Sequence, residues 1–263
     1  MQRTEAIDGT MGGLKGRHAL VTGGGRGIGR AIASALTADG ATVTISGRQE
    51  ASLSAAVAAS DAAGFFVADV TDAAAMAAGA KAAASERGPV DILVANAGGA
   101  ESAPFAKTGA DLFRRMIDLN LMGIVYASQA VIGGMSARGF GRIIAVASTA
   151  GLKGYPYVSA YCAAKHAVIG LVRALAIETA KSGVTVNAVC PGFTDTDMVR
   201  GSINLITGKT GRAEQDVVSE LVKGNPLGRL LQPNEIASAV AFLCSPGASA
   251  VTGATLTVAG GEI

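Results

Sequence analysis

The sequence predicts a doubly wound α/β fold, in which a parallel sheet of about seven strands carries helices on both faces. Short apolar runs rich in β-branched residues alternate with alanine-rich stretches of helical length, as strands covered by crossover helices require. A glycine cluster stands between the first strand and the first helix. The 263 residues, 49% hydrophobic and 16% charged, suffice for one large core. Together these observations predict a single domain of the Rossmann type.

The predicted strands are the segments HALVT, TVTIS, FFVAD, DILVAN, RIIAVAS, VTVNAVC and TLTVA. Alanine propensity and apolar spacing predict helices over 27–39, 51–59, 73–87, 111–138, 161–182 and 233–243.

The parts outside this alternation are a leader and a long insertion. Residues 1–15 are predicted to be a polar leader before a catalytic domain over 16–263. Residues 193–225 fit no strand or helix well, and we expect them to form a substrate lid, since long irregular insertions tend to be binding loops. Asp195 and Asp197 are expected to cap a helix of this lid.

Charge and composition restrict the function classes. The 22 basic and 20 acidic side chains give a balance of +2, which offers no reason to expect a nucleic acid or an anionic membrane as partner. Short apolar runs and a mixed-charge N-terminus predict a soluble, cytoplasmic protein. The odd cysteines Cys162, Cys190 and Cys244 are expected to be reduced, small apolar side chains. With only His18 and His166, both expected to be structural, no metal site is predicted.

A nucleotide site is predicted at TGGGRGIG, directly after the first strand. A glycine turn that leads into a helix offers free backbone N–H groups and a positive dipole end to a pyrophosphate. The residues expected to contact the cofactor here are Gly23, Gly25, Arg26, Gly27, Ile28 and Gly29.

The end of the second strand favours NADP(H) over NAD(H). An acidic side chain at this point would accept hydrogen bonds from the ribose 2′-hydroxyl, but the chain has Ser46, Gly47 and Arg48 there. Arg26 supplies a second guanidinium group for a 2′-phosphate, with no carboxylate expected opposite. The alternative is that Arg48 is merely solvated and Glu50 serves the ribose of NAD(H).

Proton-transfer chemistry is suggested by Ser148, Tyr161 and Lys165. On a helix, Lys165 lies one turn from Tyr161 on the same face. An ammonium group so close is expected to lower the pKa of the phenol towards the working range.

Several short motifs together resemble the short-chain dehydrogenase/reductase family. They are TGGGRGIG, Asn96-Ala97-Gly98, Asn120, Ser148, Tyr161-x-x-x-Lys165 and Pro191-Gly192. The resemblance covers about residues 16–261, and the glycine spacing is similar to that of the single-domain branch. Cys162 and Ala95 replace a common serine and a common asparagine, at positions that carry no chemistry.

The resemblance implies a role for each matched residue. Tyr161 would be the general acid in reduction, Lys165 would lower its pKa and hold the nicotinamide ribose, and Ser148 would bind the substrate oxygen. Asn120 would hold a water that links Lys165 to bulk solvent. Further cofactor contacts are expected from Asp69, Val70, Asn96, Gly98, Pro191, Gly192, Phe193 and Thr196, besides Tyr161 and Lys165 themselves.

For the substrate, the segment after the fifth strand is similar to ketoreductases of 3-ketoacyl thioesters and aromatic polyketides. A reductase of a 3-ketoacyl thioester or related ketone is therefore the first expectation, and an alcohol dehydrogenase for aryl or alicyclic secondary alcohols is the second. A nucleotide-binding redox sensor without catalysis is the third alternative, which has no use for the proton-transfer residues. Tyr155, Tyr157, Phe193 and Met198 are expected to line an apolar substrate wall beside Ser148. The alternative is that some of these four side chains only pack within the lid. The resemblance also implies a homotetramer.

Overall fold

The sheet has the predicted architecture. The computed structural model describes residues 13–263, and its seven strands form one all-parallel sheet in the order β3-β2-β1-β4-β5-β6-β7. The strands are β1 (His18–Thr22), β2 (Thr42–Gly47), β3 (Gly64–Val67), β4 (Val90–Ala95), β5 (Gly141–Val146), β6 (Val184–Pro191) and β7 (Thr255–Val258). Every residue of β1, β4, β5 and β6 is buried, which explains their nearly continuous apolar sequences.

Helices cover both faces of the sheet. They are α1 (Gly27–Ala38), α2 (Glu50–Ala58), α3 (Ala73–Arg87), α4 (Ala110–Ile117), α5 (Gly123–Arg138), α6 (Ser159–Thr179), α7 (Asp197–Thr210), α8 (Glu214–Leu221) and α9 (Pro233–Cys244). One core cluster joins the sheet to α1, α2 and α9, and a second joins it to α3, α5 and α6.

The predicted helix over 111–138 is interrupted. A π-helical segment, Asp118–Met122, separates α4 from α5 and contains the fully buried Asn120. The Asn120 side-chain amide donates to the Met116 carbonyl, four residues earlier, at 3.0 Å. The Asn120 side chain thus provides a hydrogen bond to the Met116 carbonyl where the helix widens. The hydrophobic pattern of the sequence does not indicate this interruption.

The prediction that residues 193–225 lack regular structure is wrong, because they contain α7 and α8. The expected caps are also different: Thr196 is the N-cap of α7 and accepts from the Val199 N–H, while Asp195 forms a bidentate ion pair with Arg200. Asp197 lies in the first turn of the helix. Both helices bury few side chains, Ile203 and Val217, so the sequence shows little apolar periodicity there.

The leader prediction covers residues 1–15, of which residues 1–12 lie outside the described part of the chain. Leu14 belongs to the first core cluster, and its N–H donates to Asp39 O, so the folded domain begins before residue 16.

The two histidines have structural contacts. His18 is buried and bonds to Gly88 O and Thr44 Oγ1 through its two ring nitrogens. His166 Nδ1 lies 2.8 Å from Cys162 O within α6. All three cysteines are buried and free, as predicted.

Two helical stretches are long and apolar enough to cross a membrane by length and composition, Ala110–Arg138 and Ser159–Ser182. Their mean hydropathies are 1.3 and 1.4, and 39% and 44% of the respective windows are buried. Both lie on one face of the sheet, where the second core cluster occupies their inner sides. Soluble core helices pass the same test, so these features are weak evidence for a membrane protein.

Candidate active site

A cavity of about 1110 Å³ lies at the carboxyl ends of the strands. Open parallel sheets bind their ligands at this edge. Every residue predicted for catalysis, cofactor binding or substrate contact lines this cavity: Gly23, Gly25, Arg26, Gly27, Ile28, Gly29, Arg48, Asp69, Val70, Asn96, Gly98, Asn120, Ser148, Tyr155, Tyr157, Tyr161, Lys165, Pro191, Gly192, Phe193, Thr196 and Met198.

The glycine loop has the geometry of an anion-binding turn. Gly23 and Gly27 have φ of +66° and +52°, which glycine adopts without strain. A Cβ on Gly24 would come within 2.5 Å of Ile45, and one on Gly29 would overlap the Gly23 carbonyl oxygen. Arg26 is the N-cap of α1 but makes no side-chain cap hydrogen bond, so that side chain leaves the first N–H groups of the helix to a ligand.

Asn96 fixes this loop to the sheet. Its side-chain amide donates to Thr22 O at 3.0 Å and Gly23 O at 3.3 Å, while its backbone N–H donates to Thr22 Oγ1. The Asn96 side chain therefore orients the glycine turn through its amide nitrogen. Its Oδ1 is the side-chain atom left to contact a cofactor.

Arg48 and Asp69 lie together at the far end of the cavity from Tyr161. Their side chains form an exposed ion pair with 3.8 Å between Arg48 Nη1 and Asp69 Oδ2. The expectation that no carboxylate stands opposite Arg48 is therefore wrong, although an exposed pair of this length is weak and 70% of the Arg48 side chain remains accessible. A hydrogen bond from the Thr71 N–H is the main cause that lowers the pKa of Asp69, and Arg48 contributes further. Glu50, the alternative ribose ligand, is not part of the cavity wall.

Asn120 is held by the backbone on three sides. Its amide donates to Gly99 O and Met116 O at 2.9 and 3.0 Å, and its Oδ1 accepts from the Gly99 N–H. A Cβ on Gly98 would lie 2.8 Å from Asn120 Oδ1 and 3.6 Å from Lys165 Nζ, which puts these groups in one corner of the cavity.

Tyr161 and Lys165 both project from α6 towards the end of β5. Lys165 Nζ donates to Val146 O at 2.9 Å and lies 5.7 Å from the centroid of the Tyr161 ring. Burial lowers the pKa of Lys165 to about 8. The Ser148 hydroxyl faces the phenol and also accepts from the Ala150 N–H at 3.1 Å.

The expectation that Lys165 lowers the pKa of Tyr161 is wrong for the cofactor-free protein. Burial raises the pKa of the phenol, and the opposing effect comes from Ser148. The physical reason is that the protein packed around the partly buried phenol disfavours its ionised form, whereas the ammonium is bonded to a backbone carbonyl. Tyr161 consequently keeps its proton at neutral pH.

The predicted substrate residues form an aromatic wall. Tyr155 and Phe193 make an edge-to-face pair with centroids 6.0 Å apart. Tyr157, at φ +68°, is 65% exposed, and its carbonyl accepts from the Ala103 N–H. Met198 is half-exposed on α7, at the outer part of the same wall.

Several charged side chains of the cavity, Lys153 and Glu262 among them, were not named by the sequence reasoning. Glu262 follows β7, and Lys153 follows β5; they form an ion pair of 3.3 Å. Lys209, Arg212 and Glu220 of the lid line the outer cavity as well. The rule that ligands bind after the strands pointed to the segment after β7, but no motif marks Glu262.

The fold and this cavity define a dinucleotide-binding α/β protein with a partly buried phenol and a buried ammonium group beside the glycine loop. A family model described as enoyl-(acyl carrier protein) reductase matches residues 23–262. With the relatives below, this match shows that the chain belongs to the short-chain dehydrogenase/reductase family.

Relatives and solved structures align over nearly the whole chain. The putative ketoacyl reductase 1 of the granaticin polyketide synthase from Streptomyces violaceoruber is 39% identical, covering 92% of each chain. The cis-4-hydroxycyclohexanecarboxylate dehydrogenase of Sinomonas cyclohexanicum is 41% identical over 93% of this chain and 96% of its own. Among solved structures, a variant of actinorhodin polyketide ketoreductase with NADPH is 36% identical and superposes with a TM-score of 0.89, covering 94% of this chain and 97% of its own.

Proposed function

We propose that this protein is an NADP(H)-dependent oxidoreductase that interconverts ketones and secondary alcohols, with a 3-ketoacyl thioester or related ketone as substrate. The observation that carries the proposal is the position of Tyr161, Ser148 and Lys165 in the same cavity as the glycine loop. Relatives named as ketoacyl reductase and as hydroxy-acid dehydrogenase support the reaction class.

The chain's residues fit a dinucleotide phosphate. The glycine turn and the α1 N-terminus would bind the pyrophosphate, because the turn lines the cavity and the first-turn N–H groups lack a side-chain cap. Arg26 and Arg48 would bind the 2′-phosphate, and Asp69 would bind the adenine. The solved relative with NADPH supports this preference.

In reduction, bound NADPH supplies the hydride. The protein's part is to place the substrate carbonyl between Ser148 and Tyr161, where both hydroxyls donate to the oxygen as negative charge develops on it. Tyr161, which is protonated in the cofactor-free protein, then transfers its proton to that oxygen.

Proton return to the phenol is assigned to Lys165 and Asn120. The Lys165 pKa of about 8 puts the ammonium near the working pH, where it can both give and regain a proton. Hydrogen bonds to Gly99 and Met116 fix the Asn120 side chain at the π-helical segment. A water that links Lys165 to solvent would bind beside this residue. Pro191, Gly192 and Thr196 line the nicotinamide end in this arrangement.

A second substrate class is favoured by a specific observation. The aromatic wall of Tyr155 and Phe193 offers flat apolar surface to a ring, and a relative is named as a cyclohexane-ring hydroxy-acid dehydrogenase. Aryl or alicyclic secondary alcohols are therefore the alternative substrates, with α7 and α8 as the lid over them.

The test is a panel of 3-ketoacyl thioesters, cyclic ketones and aryl ketones, assayed with NADPH and with NADH. We expect turnover of at least one thioester with NADPH at the higher kcat/KM. Turnover of cyclic or aryl ketones alone would establish the second class. NADPH binding without turnover of any ketone would favour the redox sensor and contradict the proposal.

A soluble, cytoplasmic homotetramer is part of the same proposal. Ile177 on α6 is 82% exposed and Phe242 on α9 is 52% exposed, so both helices present apolar side chains that a second copy would cover. Sedimentation equilibrium distinguishes a tetramer from a monomer, and a monomer at micromolar concentration would contradict this part. Fractionation of the source cells tests the location.

A further inference from the structure

Glu262 brings a carboxylate into the substrate end of the cavity. Only 4% of its side chain is exposed, although it follows the last strand. A Cβ on Gly192 would lie 3.1 Å from Glu262 Oε2, and one on Gly224 would lie 3.5 Å from Glu262 Cγ. The carboxylate therefore lies between the end of β6 and the end of the lid.

The hydroxyl proton of Tyr155 is donated to this carboxylate. Tyr155 Oη donates to Glu262 Oε1 at 2.5 Å and lies 2.7 Å from Thr149 Oγ1. A phenol has one proton, so Thr149 is the donor in the second bond. Tyr155 consequently offers its ring, but no hydrogen-bond donor, to a substrate.

Lys153 compensates the charge of Glu262. Its Nζ lies 3.3 Å from Glu262 Oε1, donates to Glu262 O at 3.0 Å and stands 5.2 Å from the Tyr155 ring centroid. Both side chains line the cavity, with 37% of Lys153 exposed. The pair makes this wall electrically neutral, and Lys153 has its charge satisfied within the protein.

We propose that the mutual neutralisation of Lys153 and Glu262 is a charge filter: because Glu262 cancels the cation at this wall, the enzyme selects neutral ketones against ketones that carry a carboxylate. An anionic substrate at this wall loses hydration, and Lys153, the cation of this wall, is already paired with Glu262. A neutral ester, thioester or ring ketone meets an apolar aromatic surface and loses little. This selectivity deepens the proposed function and rests on it.

The test compares acetoacetate with methyl acetoacetate, which differ in charge and little in shape. Glu262→Gln leaves Lys153 unpaired, so the ratio of kcat/KM for acid over ester is expected to rise at least tenfold. Lys153→Met leaves Glu262 unpaired, so the same ratio is expected to fall at least tenfold. The double variant is expected to return the ratio to within threefold of wild type.

Two controls separate charge from structure. Tyr155→Phe removes a contact of Glu262 without changing any charge, and Glu86→Gln makes the same carboxylate-to-amide change at an exposed position on α3; both should leave the ratio unchanged. Equal losses for acid and ester in Glu262→Gln would show a purely structural pair and overturn the filter.

The filter is tested separately from turnover. Dissociation constants of benzoate and benzamide are measured in the NADPH complex by nicotinamide fluorescence, with the same opposite shifts expected in the two single variants. Turnover of the ester by wild type tests the proposed function, whereas the shifts test the filter. Unshifted binding and kinetic ratios would reject the filter while leaving the reductase activity in place.

Discussion

Lys165 is expected to lower the stability of the cofactor-free protein. The Lys165 residue is 3% exposed, and burial lowers its pKa from the usual 10.5 to about 8. At about 1.36 kcal/mol per pKa unit, this difference corresponds to about 3 kcal/mol against folding near neutral pH. Lys165→Met removes that cost but also loses the hydrogen bond to Val146 O, about 1 kcal/mol, so a net gain of about 2 kcal/mol is expected at pH 7.

The gain has a defined pH dependence. Between pH 8 and 10.5 the folded state has released the Lys165 proton while the unfolded state still holds it, so wild-type stability rises with pH in this window. The advantage of Lys165→Met, about 2 kcal/mol at pH 7, should thus be lost by pH 10.

The assay is urea unfolding followed by far-UV circular dichroism, because the chain has no tryptophan. Lys181→Met, which changes an exposed lysine just after α6, is the matched control and should show no such pH dependence. A stability difference between Lys165→Met and wild type that is constant from pH 7 to pH 10 would refute the reasoning.

The other predictions concern chemistry, cofactor choice and the glycine turn. Tyr161→Phe should lower kcat by about 10²–10⁴-fold, the usual contribution of a general acid, with the NADPH dissociation constant unchanged; steady-state rates and a fluorescence titration check this, and an active variant would contradict the mechanism. Arg48→Glu should lower the ratio of kcat/KM for NADPH over NADH at least tenfold, because a carboxylate would repel a 2′-phosphate; an unchanged ratio would remove Arg48 from the cofactor site. Gly29→Ala should weaken NADPH binding and lower the melting temperature, since its Cβ would overlap Gly23 O, whereas Gly133→Ala, with open space around it, should be neutral or stabilising. Equal effects of Gly29→Ala and Gly133→Ala would contradict the close approach of the Gly29 Cα to Gly23 O.

Much of the fold was predictable because buried parallel strands have nearly continuous apolar sequences and the crossover helices between them are rich in alanine. The β1 to β6 strands alternate with helices at the predicted places. The glycine loop, Asn96, Ser148 and Gly192 follow strand ends and line one cavity, and Tyr161 and Lys165 reach the same cavity from α6. The lid helices were missed since α7 contains Gly201 and Gly208 and buries only Ile203, so neither propensity nor periodicity indicates a helix.

Other features depend on tertiary environment and left no mark in the sequence. The four-residue spacing of Tyr161 and Lys165 puts them on one face, but it does not show that Lys165 bonds to Val146 O or that burial dominates the phenol's pKa. The pairing of Lys153 with Glu262 joins residues 109 positions apart, which no local pattern encodes.

The π-helical segment Asp118–Met122 has a consequence for how this chain can change in length. Removing one residue there would turn α4 by about 100° relative to α5 and carry Met116 away from Ala160 and Ala164, against which it packs beneath Tyr161. A one-residue deletion or insertion in this segment would disturb the floor under the phenol. Over evolutionary time, length variation should therefore accumulate in exposed connections such as 211–213 and be purged from 118–122.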